Sequence, residues 1–274
     1  MVLATVTLAA VSCGQRQNTT KEATPKTLVV YYSQTSNTKA VATEIATRLG
    51  ADIDEIVPVE PYENDFKATI ERGKKELDEG ILPAIQPMAV NVADYDVVFI
   101  GYPIWFGTYA PPVATFLNQV DLSGKKVVPF CTFGSGGLES SIADLIQAEP
   151  DAVMLPGYGV RAARLEAMPD EIDQFLKAGG FIEGAFTPLD DFSELQPVTD
   201  DEAALFEAAV GDYPMMHAKA ECAGSRAIPG GTEYLFLAVD LPREEIPDMP
   251  PMGEMKVYVT AIDGEAPVFT RVVR

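Results

Sequence analysis

Residues 27–38 read TLVVYYSQTSNT, in which β-branched and aromatic residues give way to six polar ones. The first half is typical of a strand buried on both faces. Beyond the polar half, Val41, Ile45 and Leu49 stand four apart, which places them on one helical face, and Gly50 follows as a C-terminal stop. The stretch therefore predicts a buried strand that enters a helix through a polar loop.

Strand-like and helix-like segments alternate from residue 26 to residue 185. This alternation is typical of a parallel sheet wrapped by helices, and it predicts an α/β domain with a doubly wound, five-stranded parallel sheet. The predicted strands are residues 27–32, 52–59, 95–101, 126–132 and 152–159, and the predicted helices are residues 37–49, 66–78, 111–119, 137–148 and 170–178.

Residues 195–274 have a different pattern, which predicts a second, small α+β domain. One amphipathic helix is followed by four alternating runs, as in an antiparallel sheet packed on one helix. The helix is residues 200–210, and the runs are residues 213–222, 232–240, 254–262 and 267–273, with a proline-rich connection at 242–251 and the turn signal Asp263-Gly264. This unit resembles the cystatin-like fold, but residues 226–230 read RAIPG where inhibitory cystatins carry Gln-x-Val-x-Gly. We therefore expect no protease inhibition, and a docking or spacer role is the alternative for this unit.

Residues 1–25 form a separate N-terminal segment. Residues 1–12 are uncharged and apolar, end in small residues before Cys13, and are followed by a polar stretch. They resemble the end of a bacterial lipoprotein signal peptide, in which the cysteine becomes the lipidated first residue. The resemblance implies a lipid anchor on Cys13 and a place in the bacterial cell envelope. A floppy tail on a cytoplasmic protein is the alternative.

The composition narrows the classes of partner. A formal net charge of -21 repels nucleic acid and anionic membrane surfaces, so a protein partner is expected to be basic. The alternative explanation of this acidity is a solvated surface that keeps the protein soluble. Cys131 and Cys222 fall in different predicted domains, which favours two free thiols over one disulfide. The single histidine, His217, is expected to be structural or on the surface. The sequence contains no Cys-x-x-Cys pair and no metal-ligand cluster.

Three loops follow the first, third and fourth predicted strands, where an open α/β sheet binds its ligands. The first loop is polar, the second aromatic and rich in proline, and the third rich in glycine. Their candidate residues are Ser33, Gln34, Thr35, Ser36, Asn37 and Thr38; then Pro103, Ile104, Trp105, Phe106 and Gly107; then Phe133, Gly134, Ser135, Gly136 and Gly137.

Each loop suits a different part of one ligand. Hydroxyl groups and free backbone N–H groups at a helix N-terminus hold a phosphate, and an aromatic wall stacks on a planar ring. Glycines let the backbone approach closely. Each loop also has a structural explanation: a helix cap, a cover for the edge of the core, or a plain turn. Their combination predicts a ligand with a phosphate and a flat heterocycle.

Residues 31–38 resemble the phosphate loop of the flavodoxin family, whose pattern is Thr/Ser-x-Thr-Gly-x-Thr. Residues 101–106 and 130–137 resemble the two ring-binding loops of that family, which includes NAD(P)H:quinone reductases of similar fold. The resemblance covers residues 26–185 and implies FMN as cofactor. It places Ser33, Thr35, Asn37 and Thr38 at the phosphate, and it places Trp105 beside the isoalloxazine with Pro103, Ile104 and residues 133–137 along its edge.

One residue departs from the family pattern, because Ser36 stands where the pattern has glycine. If this position requires a positive φ, serine is strained there by roughly 1 kcal/mol and flavin affinity is reduced.

The expected function is electron transfer or flavin-dependent reduction of a quinone-like acceptor, with the chemistry carried by the flavin and no catalytic side chain. The protein is then either a carrier that docks on a basic redox partner or an FMN-dependent oxidoreductase with a nicotinamide donor. A different class remains open: a surface-anchored interaction protein that has kept the flavodoxin-like shape and no longer binds flavin.

Overall fold

The structure is a computed structural model that describes residues 25–211, 213, 216–242 and 253–274. The signal-like residues 1–12, Cys13 and most of the proline-rich connection 242–251 lie outside the described residues. The described chain forms two units, each with its own sheet; the first has an apolar cluster on each face of its sheet and the second has one cluster.

The first unit is an α/β sandwich built on a parallel sheet, as predicted. Its main path has the order β2-β1-β3-β5-β6, with β7 continuing alongside β5 and β4 pairing with β3. The strands are β1 Thr27–Tyr31, β2 Asp52–Glu55, β3 Val97–Trp105, β4 Thr108–Tyr109, β5 Lys126–Phe133, β6 Val153–Met154 and β7 Tyr158–Arg161; the helices are α1 Asn37–Leu49, α2 Phe66–Glu79, α3 Pro111–Gln119, α4 Leu138–Ala148 and α5 Met168–Ala178.

Successive side chains of β1 pack on opposite faces of this sheet. Leu28 and Val30 join the cluster that contains Phe116 of α3, whereas Val29 joins the one that contains Ile45 of α1. All five are fully buried. The strand is buried on both faces, which explains its unbroken apolar sequence.

Three predicted strand boundaries are wrong. The second strand was expected to reach residue 59 but ends at Glu55, shortly before Pro58, which has no N–H to donate to the sheet. The third was expected to end at residue 101, but β3 continues to Trp105 because its last residues pair with β4. The fifth was expected over 152–159 but is split into β6 and β7, with Pro156 and Gly157 between them.

The second unit is an antiparallel sheet with one helix, as predicted. The sheet order is β12-β11-β10-β9-β8, and the elements are β8 Gln196–Pro197, α6 Asp200–Val210, β9 Ala218–Ile228, β10 Gly231–Asp240, β11 Glu254–Ile262 and β12 Val268–Val273. A capping box of Thr199 and Glu202 starts α6, and Phe206 packs on Phe236 with ring centroids 5.2 Å apart.

The first strand of this unit was predicted over 213–222, which is too early. It spans Ala218–Ile228 and pairs with the whole of β10 across the turn at Gly230, where φ is 74°. The short edge strand β8 was not predicted. Cys131 and Cys222 are free thiols, and His217 is exposed, as expected. The resemblance to the cystatin-like fold stays a prediction.

Within the described part of the chain, no helix has the length and apolar character that crossing a membrane requires.

Candidate functional site

The three candidate loops meet at one cleft beyond the carboxyl ends of β1, β3 and β5. Its volume is about 390 Å³, within the range of roughly 300–1,000 Å³ usual for small-molecule sites. The residues that line it are Gln34, Thr35, Asn37, Phe66, Thr69, Ile70, Pro103, Ile104, Trp105, Phe106, Thr132, Phe133, Gly134 and Ala162. The cleft thus contains members of all three predicted loops, together with residues of α2 that the sequence analysis did not include.

The N-terminus of α1 faces this region without a side-chain cap. Ser36 is the N-cap residue, but no side-chain hydrogen bond caps the helix, and its first turn contains no acidic residue. The first N–H groups of a helix have no acceptor within the helix, and they carry its positive dipole end. The hydroxyl groups of this loop are therefore not explained by capping, and the helix end is free to bind an anion.

Ser33 supplies a second feature that suits an anion. Its hydroxyl oxygen is buried and has no hydrogen-bond partner within the described structure. A buried polar group without a partner costs roughly 1–3 kcal/mol, so such groups are rare. A ligand oxygen is the kind of partner that this hydroxyl lacks.

Two other members of the first loop have protein partners. The hydroxyl of Thr38 is buried and lies 2.9 Å from that of Thr132 at the end of β5. Gln34 accepts a hydrogen bond from the Tyr32 hydroxyl at 2.7 Å and donates one to the carbonyl oxygen of Glu63 at 3.2 Å. These two side chains fix the loop, while Thr35 and Asn37 line the cleft.

The second loop is a β-hairpin. Trp105 of β3 pairs with Thr108 of β4, and the two turn residues, Phe106 and Gly107, have φ values of 53° and 85°. Positive φ at both positions defines the tight turn that matches the twist of the strands. Phe106 is 47% exposed at the tip. The hairpin therefore presents aromatic side chains on a rigid support.

Trp105 is held in place by other aromatic rings. It makes edge-to-face contacts with Tyr32 and Tyr62, with ring centroids 5.9 and 5.0 Å away. Behind it lies Gly73 of α2, where an added Cβ would be only 2.9 Å from the indole. Burial raises the pKa of the Tyr32 and Tyr62 hydroxyls, so both rings stay neutral.

The third loop, the ring loop, spans residues 133–137 at the end of β5. Gly137 has a φ of 110°, and an added Cβ there would be 2.7 Å from Ile104 of the hairpin. Ser140 donates a hydrogen bond to the carbonyl oxygen of Gly107 at 2.6 Å, which ties the ring loop and α4 to the hairpin turn. Glycine at position 137 thus permits both the backbone conformation and the close approach.

The ring loop is also bonded to β12 of the C-terminal unit and to the last residue of β7. The Val272 N–H donates to the Ser135 carbonyl oxygen at 2.7 Å, and the Arg161 side chain donates to the Gly134 carbonyl oxygen at 2.8 Å. Sequence reasoning missed both residues, since neither belongs to a recognisable motif.

Not all of the predicted residues line the cleft. Those that do not are Ser33, Ser36, Thr38, Gly107, Ser135, Gly136 and Gly137. Gly107, Ser135, Gly136 and Gly137 line an adjoining cavity of about 600 Å³, which is also bounded by residues 272–274. This cavity and the cleft share four lining residues, Ile104, Phe106, Phe133 and Gly134.

None of the described residues that line the cleft has a titratable side chain. The described residues also contain no group of three His, Cys, Asp or Glu side chains that could hold a metal ion. The cleft can bind a phosphate through neutral donors and a flat ring through aromatic side chains.

Comparison with known proteins gives matches to the first unit. The Flavodoxin family model matches residues 26–173, just over half of the chain. A candidate flavoprotein from Bacteroides eggerthii is 31% identical, with a TM-score of 0.51, over 57% of this chain and 98% of that one. A similar protein from Bacteroides uniformis is 29% identical, with a TM-score of 0.49, over 54% and 98%. A flavoprotein from Lactobacillus acidophilus, solved in complex with FMN, is 23% identical, with a TM-score of 0.46, over 50% and 93%.

Proposed function

The chain belongs to the flavodoxin family through residues 26–173, and on this premise we propose that it binds FMN in the cleft and transfers electrons with it. FMN, when bound, accepts and donates one or two electrons, while the protein supplies binding and tunes the potential. The residues of the cleft bind and orient the cofactor and exclude water from part of it.

The observation that carries this proposal is the uncapped N-terminus of α1 at the cleft, preceded three residues before its N-cap by the buried, unpartnered hydroxyl of Ser33. A phosphate monoester would satisfy both the hydroxyl and the free N–H groups. Thr35 and Asn37 would complete the phosphate site from the rim of the cleft.

The other half of the cleft suits the flavin ring. Trp105 and the hairpin would flank one side of the isoalloxazine, and Phe133 and Gly134 would lie along its edge. No cation is needed, because the neutral donors act at a helix N-terminus.

Native mass spectrometry of the protein incubated with FMN tests this proposal. We expect one FMN per chain, and a spectrum with only the mass of the bare chain would contradict it. That outcome would favour the alternative, an interaction protein that no longer binds flavin.

The proposed role is that of an electron carrier for a basic partner. The net charge of -21 would attract a cationic protein at long range. Phe106 at 47% exposed and Phe66 at 82% exposed stand at the rim of the cleft, where a partner would cover them.

Reduction of a small quinone-like acceptor, with a nicotinamide donor, is the second candidate. The observation that favours it is the adjoining cavity of about 600 Å³, which shares four residues with the cleft. Turnover of NAD(P)H with a soluble quinone by the FMN-loaded protein, at enzyme-like rates, would select this role over that of a carrier.

The place of action is proposed to be the bacterial cell envelope, with Cys13 lipidated; a cytoplasmic protein is the alternative. This proposal rests on the apolar residues 1–12 and the small residues that precede Cys13. Detergent phase partitioning after bacterial expression tests it. The wild type is expected in the detergent phase and Cys13→Ser in the aqueous phase, whereas aqueous wild type would contradict the anchor.

A further inference from the structure

The ring loop is part of the contact between the two units. Beyond the bond from Val272 to Ser135, a parallel β-bridge links Gly136 to Val272. The ring loop is therefore held by backbone pairing to β12, as though it were a short additional strand.

The sequence of the ring loop permits this pairing. A Cβ added at Gly136 would lie 2.1 Å from the carbonyl oxygen of Val272, a distance that no real Cβ contact shows. At Gly134 an added Cβ would lie 3.3 Å from the hydroxyl of Tyr213 in the second unit. Glycine at position 136 thus allows β12 to approach.

Arg161 joins the two units at the same point. It ends β7, and its guanidinium donates to the carbonyl oxygens of Gly134 at 2.8 Å and Phe269 at 2.7 Å. The same group lies 4.2 Å from the centre of the Phe269 ring and 5.0 Å from that of Tyr213. One half-buried side chain of the first unit therefore binds the ring loop and β12 together.

These bonds fix the orientation of two peptide groups. In a trans peptide the N–H points opposite to the C=O. The carbonyl of Gly134 is directed at Arg161 and that of Ser135 at Val272, so the N–H groups of Ser135 and Gly136 are directed away from those partners. The contact with the second unit thus sets the directions in which the ring loop presents its donors.

We infer that the C-terminal unit holds the ring loop in its FMN-binding conformation, and that Arg161 is the positioning residue that joins the two. This inference rests on the proposed function. It assigns the second unit a role in setting flavin affinity and redox potential.

The test compares Arg161→Ala with Arg226→Ala in the full chain. Arg226 is the matched control because its guanidinium also lies over an aromatic ring, that of Phe192 at 4.3 Å, and bonds Glu233 at 2.8 Å, away from the ring loop. FMN dissociation constants come from fluorescence titration and midpoint potentials from redox titration. Circular dichroism checks that each variant is folded.

Arg161→Ala is expected to weaken FMN binding about tenfold, because a charge-assisted hydrogen bond to the loop is lost. A tenfold change in the relative affinity for oxidised and reduced FMN shifts the potential by about 30 mV for two electrons, and we expect a shift of that size. Arg161→Lys keeps a cationic donor and is expected to recover part of both losses. Arg226→Ala is expected to match the wild type.

A second variant tests the same contact in case Arg161→Ala does not fold. Val272→Pro removes the N–H that reaches Ser135 and spares the ladder bonds to β11, since β12 is an edge strand that pairs with β11 on its other side. Proline also replaces the buried valine side chain by another apolar one, so circular dichroism checks the fold of this variant too. It is expected to weaken FMN binding in the same direction.

The outcomes separate the inference from the proposed function. Wild type that binds no FMN would overturn both. Wild type that binds FMN, with folded Arg161→Ala and Val272→Pro of unchanged affinity and potential, would overturn the inference alone.

Discussion

Ser36 has a φ of 67° and a ψ of -1°, a left-handed conformation that glycine adopts freely. A side chain there costs roughly 1–2 kcal/mol. The substitution of serine for the family's glycine was visible in the sequence, whereas the positive φ that makes it costly is seen only in the structure.

Replacing Ser36 by glycine should therefore stabilise the protein. The strain is relieved, and the greater freedom of glycine in the unfolded chain offsets part of the gain, so the free energy of unfolding should rise by about 0.5 kcal/mol. Urea denaturation measures it. Ser36→Ala is the control, because it keeps the Cβ and should give no gain. An equal gain in both variants would mean that backbone strain is not the cause.

Ser33 should have opposite effects on stability and on binding. Ser33→Ala removes a buried hydroxyl without a partner, so the FMN-free protein should gain about 1 kcal/mol in its free energy of unfolding. The same change removes a donor to the phosphate, so FMN should bind about tenfold more weakly.

Thr43→Ala serves as the control for Ser33, since that hydroxyl is exposed and bonds the Lys39 carbonyl oxygen within α1. Calorimetry of FMN binding and urea denaturation give the two readouts. A Ser33→Ala protein that binds FMN as tightly as the wild type would exclude this hydroxyl from the phosphate site.

At the scale of elements, α2 supports the aromatic wall through Gly73. Glycine in the middle of a helix lowers the stability of the helix by about 1 kcal/mol relative to alanine, so Gly73→Ala would ordinarily stabilise α2. Here the added Cβ would be 2.9 Å from the Trp105 indole. We expect Trp105 to shift, the helical gain to be lost, and FMN affinity to fall.

Trp105 is the only tryptophan in the chain, so its fluorescence reports this shift directly. The emission maximum of Gly73→Ala should move relative to the wild type, whereas Lys75→Ala on the exposed part of α2 should leave it in place. An unmoved maximum together with unchanged FMN affinity would show that α2 does not position the indole.

The elements were predictable from the sequence wherever a local signal defines them. The helix at Asn37–Leu49 has its apolar face and Gly50, and the helix at Pro111–Gln119 has its initial proline. The hairpin of β3 and β4 was not predicted, because Pro103 within an aromatic run does not suggest a strand. The edge strand β8 is two residues long and depends entirely on pairing with β9.

The loops that form the candidate site were predictable from the sequence, but the residues of other elements that hold those loops in place were not. A parallel sheet brings the ends of its strands together, so residues far apart in sequence could be assigned to one cleft. Gly73, Arg161 and Val272 act through contacts between elements that no local pattern records. Thr132 likewise lines the cleft and bonds Thr38, and neither contact was predicted from the sequence.

At the scale of the whole molecule, the surface charge bears on the proposed role as carrier. A net charge of -21 should speed encounters with a cationic protein, and salt should screen this attraction. Electron transfer from the reduced protein to a basic c-type cytochrome should therefore slow by about tenfold between low and high ionic strength. Reduction of a neutral quinone is the control and should change little. A cytochrome rate that does not depend on salt would contradict charge-guided docking.

Binding of FMN in the cleft between the three loops is measured by the visible absorption spectrum. The purified protein is incubated with excess FMN, desalted and measured beside Trp105→Ala and Thr35→Ala, two changes within the cleft. We expect the wild type to retain the flavin bands and both variants to lose them or retain them weakly. A colourless wild type, or variants that hold flavin as well as the wild type does, would contradict binding of FMN in this cleft.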